Sequence, residues 1–212
     1  SKGFPIIGAA TDDYVGSTVT GGFDLNSDGF SDVAVGSSAR GSIYIIFGHS
    51  TATSFSTVDL DTVNSGNLVG GFRVYAAPAG NLWDDLSVNF AGDINADGKD
   101  DLIIGSGIST YSDRTNSGIV YIVFGQSSSY IFYDIVLTAW VTGSKGFRIF
   151  GWSAGDWLGF SVGGRGVDIN GDGVDDFVIG SRYGDPSSRM DAGVVFVFYG
   201  KSGPWVDIDV RN

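Results

Sequence analysis

Three stretches of the chain repeat one pattern of oxygen-bearing side chains. They are Asp24, Asn26, Asp28, Gly29 and Asp32, then Asp93, Asn95, Asp97, Gly98 and Asp101, then Asp168, Asn170, Asp172, Gly173 and Asp176. Alternate residues supply hard oxygen donors, and the glycine at the sixth position permits a sharp turn around one ion, which is the coordination Ca²⁺ prefers. An EF-hand loop opens in the same way, but it closes on a bidentate glutamate at position twelve and lies between helices. Here the twelfth positions are Val35, Ile104 and Ile179, inside apolar runs that read as buried strands, and the chain contains no Glu. The loop must therefore close on the ninth-position carboxylates of Asp32, Asp101 and Asp176 and on the main-chain carbonyls of Phe30, Lys99 and Val174 at the seventh. The plain alternative is an Asx-rich turn that binds nothing. Against it, each empty loop would hold three carboxylates together with only repulsion between them. Three Ca²⁺ sites are expected.

At 212 residues and 42% hydrophobic, the chain can bury a sizeable core. Its net charge of −12 is concentrated, because the three loops with the adjoining Asp100 and Asp175 hold 11 of the 24 acidic residues. Three bound Ca²⁺ would bring the charge to −6, so the acidity reads as a metal signature. No basic stripe is present to neutralise phosphates, which argues against nucleic acid as a partner. Cysteine is absent, ruling out disulfides and thiolate metal sites. His49 is the single histidine and follows a strand-ending glycine, where it reads as a solvated turn residue. With no second histidine and no GxSxG elbow, neither a nucleophile triad nor a zinc site can be assembled. The reading is therefore non-enzymatic. No apolar run approaches membrane-spanning length, so no membrane span is expected.

The elements that must hold these loops also repeat. The first aspartates lie 69 and 75 residues apart, and each loop sits between two β-like runs. Small apolar runs precede the loops (Ser17-Thr18-Val19, Leu86-Ser87-Val88, Phe160-Ser161-Val162), and strands ending in Gly-Ser follow them (Gly36-Ser37, Gly105-Ser106, Gly180-Ser181). Aromatic-rich strands closing on glycine come third, at 42–48, 119–125 and 194–200. Runs opening with Gly-Phe come fourth, at Gly3-Phe4, Gly71-Phe72 and Gly146-Phe147. Four short glycine-punctuated strands per repeat, without helical periodicity, predict an all-β fold of antiparallel propeller blades. The repeats run over approximately 1–61, 62–137 and 138–212 within a single propeller segment.

On these residues the chain resembles the FG-GAP repeats, the blades of integrin α-subunit propellers, over essentially its whole length. The FG element is approximated by Val15-Gly16 and Leu158-Gly159, and the GAP element by Gly36-Ser37-Ser38, Gly105-Ser106-Gly107 and Gly180-Ser181-Arg182. The middle repeat departs from the pattern, with Asp84-Asp85-Leu86 where the FG glycine belongs. The resemblance implies that the loop joining the first and second strands of each blade binds Ca²⁺. It also implies that the twelve core strands stand in circularly shifted order, since 3–7 begins a fourth, outer strand while the last repeat ends after its third. Three blades alone make too tight a ring. Two chains pairing head to tail, or further repeats of a longer chain, would complete a propeller.

Loops on the face opposite the metal loops carry aromatic and charged side chains. Trp83, Trp157, Tyr111, Asp113, Arg114, Arg182, Tyr183, Asp185 and Arg189 are the candidate contacts to a protein or glycan surface. Tyr14, Trp83 and Trp157 recur at equivalent positions, so wedging between blades is the competing expectation for them. The functional class implied by the resemblance is an extracellular or cell-surface calcium-binding module for adhesion or protein assembly. A lectin-type propeller and an accessory domain of a larger extracellular enzyme are the alternatives.

Overall fold

The computed structural model describes residues 3–50, 57–61, 70–75, 86–127, 129–130, 132–140 and 142–211. The chain opens with β1 (Ile6–Ile7), followed by β2 (Val15–Phe23), β3 (Asp32–Ser37), β4 (Ser42–Ile46), the two-residue β5 (Val58–Asp59) and β6 (Gly71–Tyr75). The series then repeats as β7 (Leu86–Gly92), β8 (Asp101–Ser106), β9 (Ile119–Val123), β10 (Ile135–Val136) and β11 (Gly146–Phe150). The last set is β12 (Leu158–Gly163), β13 (Phe177–Ser181), β14 (Val194–Phe198) and β15 (Ile208–Asp209). Among the described residues, helix is limited to single 3₁₀ turns at Leu137–Ala139 and Pro186–Ser188.

Each long series folds as an antiparallel meander. β2-β3-β4-β6 form the first blade, β7-β8-β9-β11 the second, and β12-β13-β14 a third of three strands. β8 is an apolar run with both faces covered, which is why it lacks the alternation of a half-exposed strand, and β3 shares that pattern except at the exposed Val33. One apolar cluster fills the space between blades one and two, with Phe23 stacked on Phe90. A second, around Phe147, Phe177 and Trp205, fills the space between blades two and three. The close approach depends on glycine at specific points: a Cβ on Gly105 would run into the Gly159 carbonyl and the Ser87 hydroxyl of the neighbouring inner strands.

The FG glycine has a visible purpose. In blades one and three the ladder skips from Val15 to Val19 and from Leu158 to Ser161, a bulge that begins at Gly16 and Gly159, both at positive φ. In the middle blade, which lacks that glycine, Leu86 takes the position opposite Ser106 and pairing runs on through Val88 without a skip. The departure in sequence therefore removes the bulge and leaves the blade intact.

The two-residue strands β5, β10 and β15 were absent from the sequence reading, whereas β1 lies within the expected run 3–7. The segment between third and fourth strands reaches back to lie parallel on the outer strand of the preceding blade, β10 on β6 and β15 on β11. β5 pairs with β1 in the same register, Ile6 opposite Val58 as Val74 is opposite Ile135 and Ile149 opposite Ile208. The first two latches are clamped by charge: Asp134 accepts from the Arg73 backbone and guanidinium, and Asp207 likewise from Arg148. Each is capped by an aromatic stack, Phe72 on Phe132 and Phe147 on Trp205. At the β1–β5 joint, Pro5 and Thr57 occupy the places of the arginine and the aspartate.

Candidate metal centres

The three DxNxDG loops connect β2 to β3, β7 to β8 and β12 to β13, all at one end of the blades. Their backbones share a course: the fourth residue (Ser27, Ala96, Gly171) and the sixth (Gly29, Gly98, Gly173) take positive φ. That winding points the loop amides inward at the first aspartate. Asp24 accepts from the N–H groups of Asp28 and Gly29 at 3.0 and 2.8 Å, Asp93 from Asp97 and Gly98 at 2.9 and 2.8 Å, and Asp168 from Asp172 and Gly173 at 3.1 and 2.9 Å. Asn26, Asn95 and Asn170 each accept from the fifth residue's N–H, and Asp28, Asp97 and Asp172 from the seventh's. Lys99 contributes a local ion pair to Asp97 in the middle loop. Phe30, Lys99 and Val174, the residues expected to offer carbonyls, follow the sixth-position glycine in each turn.

The ninth-position aspartates anchor the loop to the blade. Each is fully buried. Asp32 accepts from Leu25 and Gly48, Asp101 from Ile94 and Gly125, and Asp176 from Ile169 and Gly200, so one carboxylate ties the loop's second residue to the end of the third strand. Burial, with the charges of Asp28 and Asp24 adding to it, pushes Asp32 up to about 6. Burial, with the charges of Asp97 and Asp93 adding to it, pushes Asp101 up to about 8. These carboxylates are costly to ionise side by side without a compensating cation.

Among the described residues no group of three or more His, Cys, Asp or Glu side chains is drawn together as a ready-made metal cage. The loop carboxylates are instead spread over backbone amides. The donor set nevertheless fits a hard cation: every side-chain donor is oxygen, and a carboxylate oxygen that accepts one N–H retains a second lone pair. Adjacent loops are also linked. Asp100 accepts from the Asp24 N–H and Asp175 from the Asp93 N–H, each at 3.0 Å, so the eighth-position aspartate of one blade holds the loop of the blade before it. Sequence reading counted these two residues only as extra acidity.

At the other end of the blades the candidate partner residues separate into two sets. Tyr111 and Arg114 turn inward: Tyr111 stacks on Phe150, and buried Arg114 donates to Asp209 at 2.9 and 2.6 Å and to the Gly151 carbonyl. Arg114 is thus withdrawn from the surface because it pins the β15 latch. Its hydrogen bonds hold the Asp209 carboxyl below the usual carboxylate range. Trp157 is half-buried with its ring edge-on to Tyr183 at 4.9 Å, a wedge between blades two and three. Asp113, Arg182, Asp185 and Arg189 are exposed, with Arg182 lying over the Phe160 ring. Trp83 falls outside the described residues. A cavity of about 280 Å³ that the sequence did not suggest lies here, lined by the exposed Trp152 together with Asp156, Asp185, Val194 and Phe196. Asp156 is the counterpart of Asp13, which pairs with Arg40 in blade one, and burial raises the Asp156 carboxyl above its ordinary value.

Repeated antiparallel meanders, two of four strands and one of three, each with the same loop between its first and second strands, define blades of a β-propeller. The FG-GAP repeat model matches residues 15–46 and 87–123, the first three strands of blades one and two. The chain thus carries FG-GAP repeats, consistent with an integrin-type propeller. It is 30% identical over 197 residues to integrin alpha-PS2 of Drosophila melanogaster, covering 89% of this chain and 12% of that protein. It is 28% identical over 187 residues to phosphatidylinositol-glycan-specific phospholipase D of Bos taurus and 29% identical over 189 residues to the Homo sapiens protein of that name. These two alignments cover 84% and 85% of this chain and 20% of each phospholipase, so the chain spans a fifth or less of the length of these relatives. Among the described residues no helix is long and apolar enough to cross a membrane.

Proposed function

We propose that this chain is a non-catalytic, calcium-stabilised propeller module, outside the cell or at its surface, that serves adhesion or protein assembly. The observation that carries this reading is the threefold recurrence of one all-oxygen loop, each copy closed on a buried ninth-position aspartate. Bound Ca²⁺ supplies fixed positive charge that offsets the clustered carboxylates. Asp24, Asn26, Asp28 and Asp32, with the Phe30 carbonyl, would hold the first ion. Asp93, Asn95, Asp97, Asp101 and the Lys99 carbonyl would hold the second, and Asp168, Asn170, Asp172, Asp176 and the Val174 carbonyl the third. The loops then act as rigid corners, and the opposite face, with Asp113, Arg182, Tyr183, Asp185 and Arg189, meets the partner. Calorimetric titration of the chelator-treated protein with Ca²⁺ tests this reading: the expected stoichiometry is three ions per chain, and an absence of binding heat together with no retained metal would overturn it.

Two further readings rest on particular observations. The exposed Trp152 beside Asp156 and Asp185 offers an apolar plate flanked by acceptors, which suits a sugar. Saturable binding on a glycan array, lost in Trp152→Ala, would establish a lectin. The similarity to a fifth of a phospholipase supports a role as an accessory domain of a larger enzyme, which the coding sequence on either side of this segment would decide.

A further inference from the structure

We propose that Asn170 is a site of spontaneous deamidation, a modification that the third loop alone carries and that a bound ion suppresses. The sole Asn-Gly pair of the chain is Asn170-Gly171, inside the third DxNxDG loop. A main-chain nitrogen attacks the preceding asparagine side chain most freely when its own residue has no Cβ in the way, and only glycine offers this. The winding of the loop explains why glycine stands there. The fourth position takes positive φ in every copy, at 54° for Ser27, 57° for Ala96 and 76° for Gly171, and glycine alone meets that demand without strain. Relief of backbone strain in the third loop therefore comes with a reactive pair.

The contacts around the pair bear on its chemistry. Residues 168–173 are exposed, so water reaches the asparagine. Gly171 donates its N–H to the Asp168 carboxylate at 2.7 Å, a bond that neither Ser27 nor Ala96 makes to Asp24 or Asp93. An acceptor thus already holds the proton that must leave. The Asn170 carboxamide is tied at both ends to Asp172: Oδ1 accepts from its N–H at 3.0 Å, and Nδ2 donates to its carboxylate at 2.9 Å. These bonds must open before the side chain can turn to Gly171. The suppression rests on the metal reading, in which Ca²⁺ would hold the same Oδ1 in place. In the reaction the Gly171 nitrogen bonds to Asn170 Cγ, the Cγ–Nδ2 bond breaks, and ammonia leaves with the proton from Gly171. Water then opens the cyclic imide. Opening at the side-chain carbonyl leaves aspartate, a fourth carboxylate beside Asp168, Asp172 and Asp176. Opening at the main-chain carbonyl leaves isoaspartate, which lengthens the turn by one methylene and takes the third site apart.

Peptide mass mapping tests this directly. Cleavage after Arg165 and Arg182 releases segment 166–182, in which Asn170 is the only side-chain amide. In the chelator-treated chain held at mildly alkaline pH, that peptide is expected to convert to an aspartate and isoaspartate mixture while Asn26 and Asn95 keep their amides. If only the ion-free loop reacts, Ca²⁺ at about a hundred times its dissociation constant should slow conversion about a hundredfold. Gly171→Ala copies Ala96 of the second loop, and its Cβ would meet no atom within 4 Å. This variant is expected to stop the conversion and still bind Ca²⁺. Retention of the Asn170 amide under conditions that convert a synthetic 166–182 peptide would overturn the proposal, as would equal conversion of Asn26 or Asn95. Equal rates with and without Ca²⁺, in a chain that calorimetry shows to bind it, would overturn the suppression. Absent binding heat with Asn170 still converting would instead sink the metal reading and uphold the modification.

Discussion

At the scale of single residues, the three Asp-Asn-Gly loops were legible in the sequence as one repeated turn because their pattern is local. Donor type, spacing and the turn glycine all fall within nine positions, and the structure winds those nine positions in the same way three times. Replacing Asp97 with Ala removes a charged donor from an exposed corner. Metal analysis is expected to show two ions in place of three, with the far-ultraviolet signature of the strands retained. The buried salt bridge could not be read so easily, since Arg114 and Asp209 are 95 residues apart and only folding places the guanidinium beneath the latch. Arg114→Ala removes the buried guanidinium and leaves Asp209 with Arg211 alone, and should cost about 2 kcal/mol in denaturant unfolding at neutral pH. The sign with pH follows from the depressed carboxyl of Asp209. Its contribution is complete above the unfolded value of about 3.9 and is lost as pH falls through the lower folded value. The gap in stability between the native chain and the variant should therefore narrow below about pH 4; a gap that widens there would contradict the assignment.

At the scale of elements, the meander strands of the blades were readable from apolar runs punctuated by glycine, whereas the latches were not. Two-residue strands carry no periodicity, and the residues that clamp them, such as Asp134 and Asp207, look in sequence like ordinary loop aspartates. The same limit applies to the small-residue seam between inner strands, where only the packed structure shows why Gly105 must lack a Cβ. Gly105→Ala is expected to wedge blade two from blade three and to lower stability by about 1–3 kcal/mol, measured by denaturant titration. A neutral result would mean that the blades are not packed at this distance. The middle blade shows the reverse case: the missing FG glycine was visible in sequence, but its effect, the loss of a bulge, needed the pairing register.

At the scale of the whole molecule, the blades form a chain of similar joints in which the first loop is fastened to the next blade through Asp100 and the second through Asp175. The exposure of the flanking faces of blades one and three was the part least open to sequence reading, because it is a property of the assembled blades. Bound ions would bear on these joints, since each loop holds the end of its own third strand and the first two also hold the blade that follows. Thermal unfolding with saturating Ca²⁺ and with excess chelator measures this most directly. An ion at about a hundred times its dissociation constant stabilises the folded form by about 2.7 kcal/mol per site, so chelation should lower the melting temperature by at least about 5 °C. Identical melting curves in the two conditions, with no Ca²⁺ retained by the folded protein, would contradict the account.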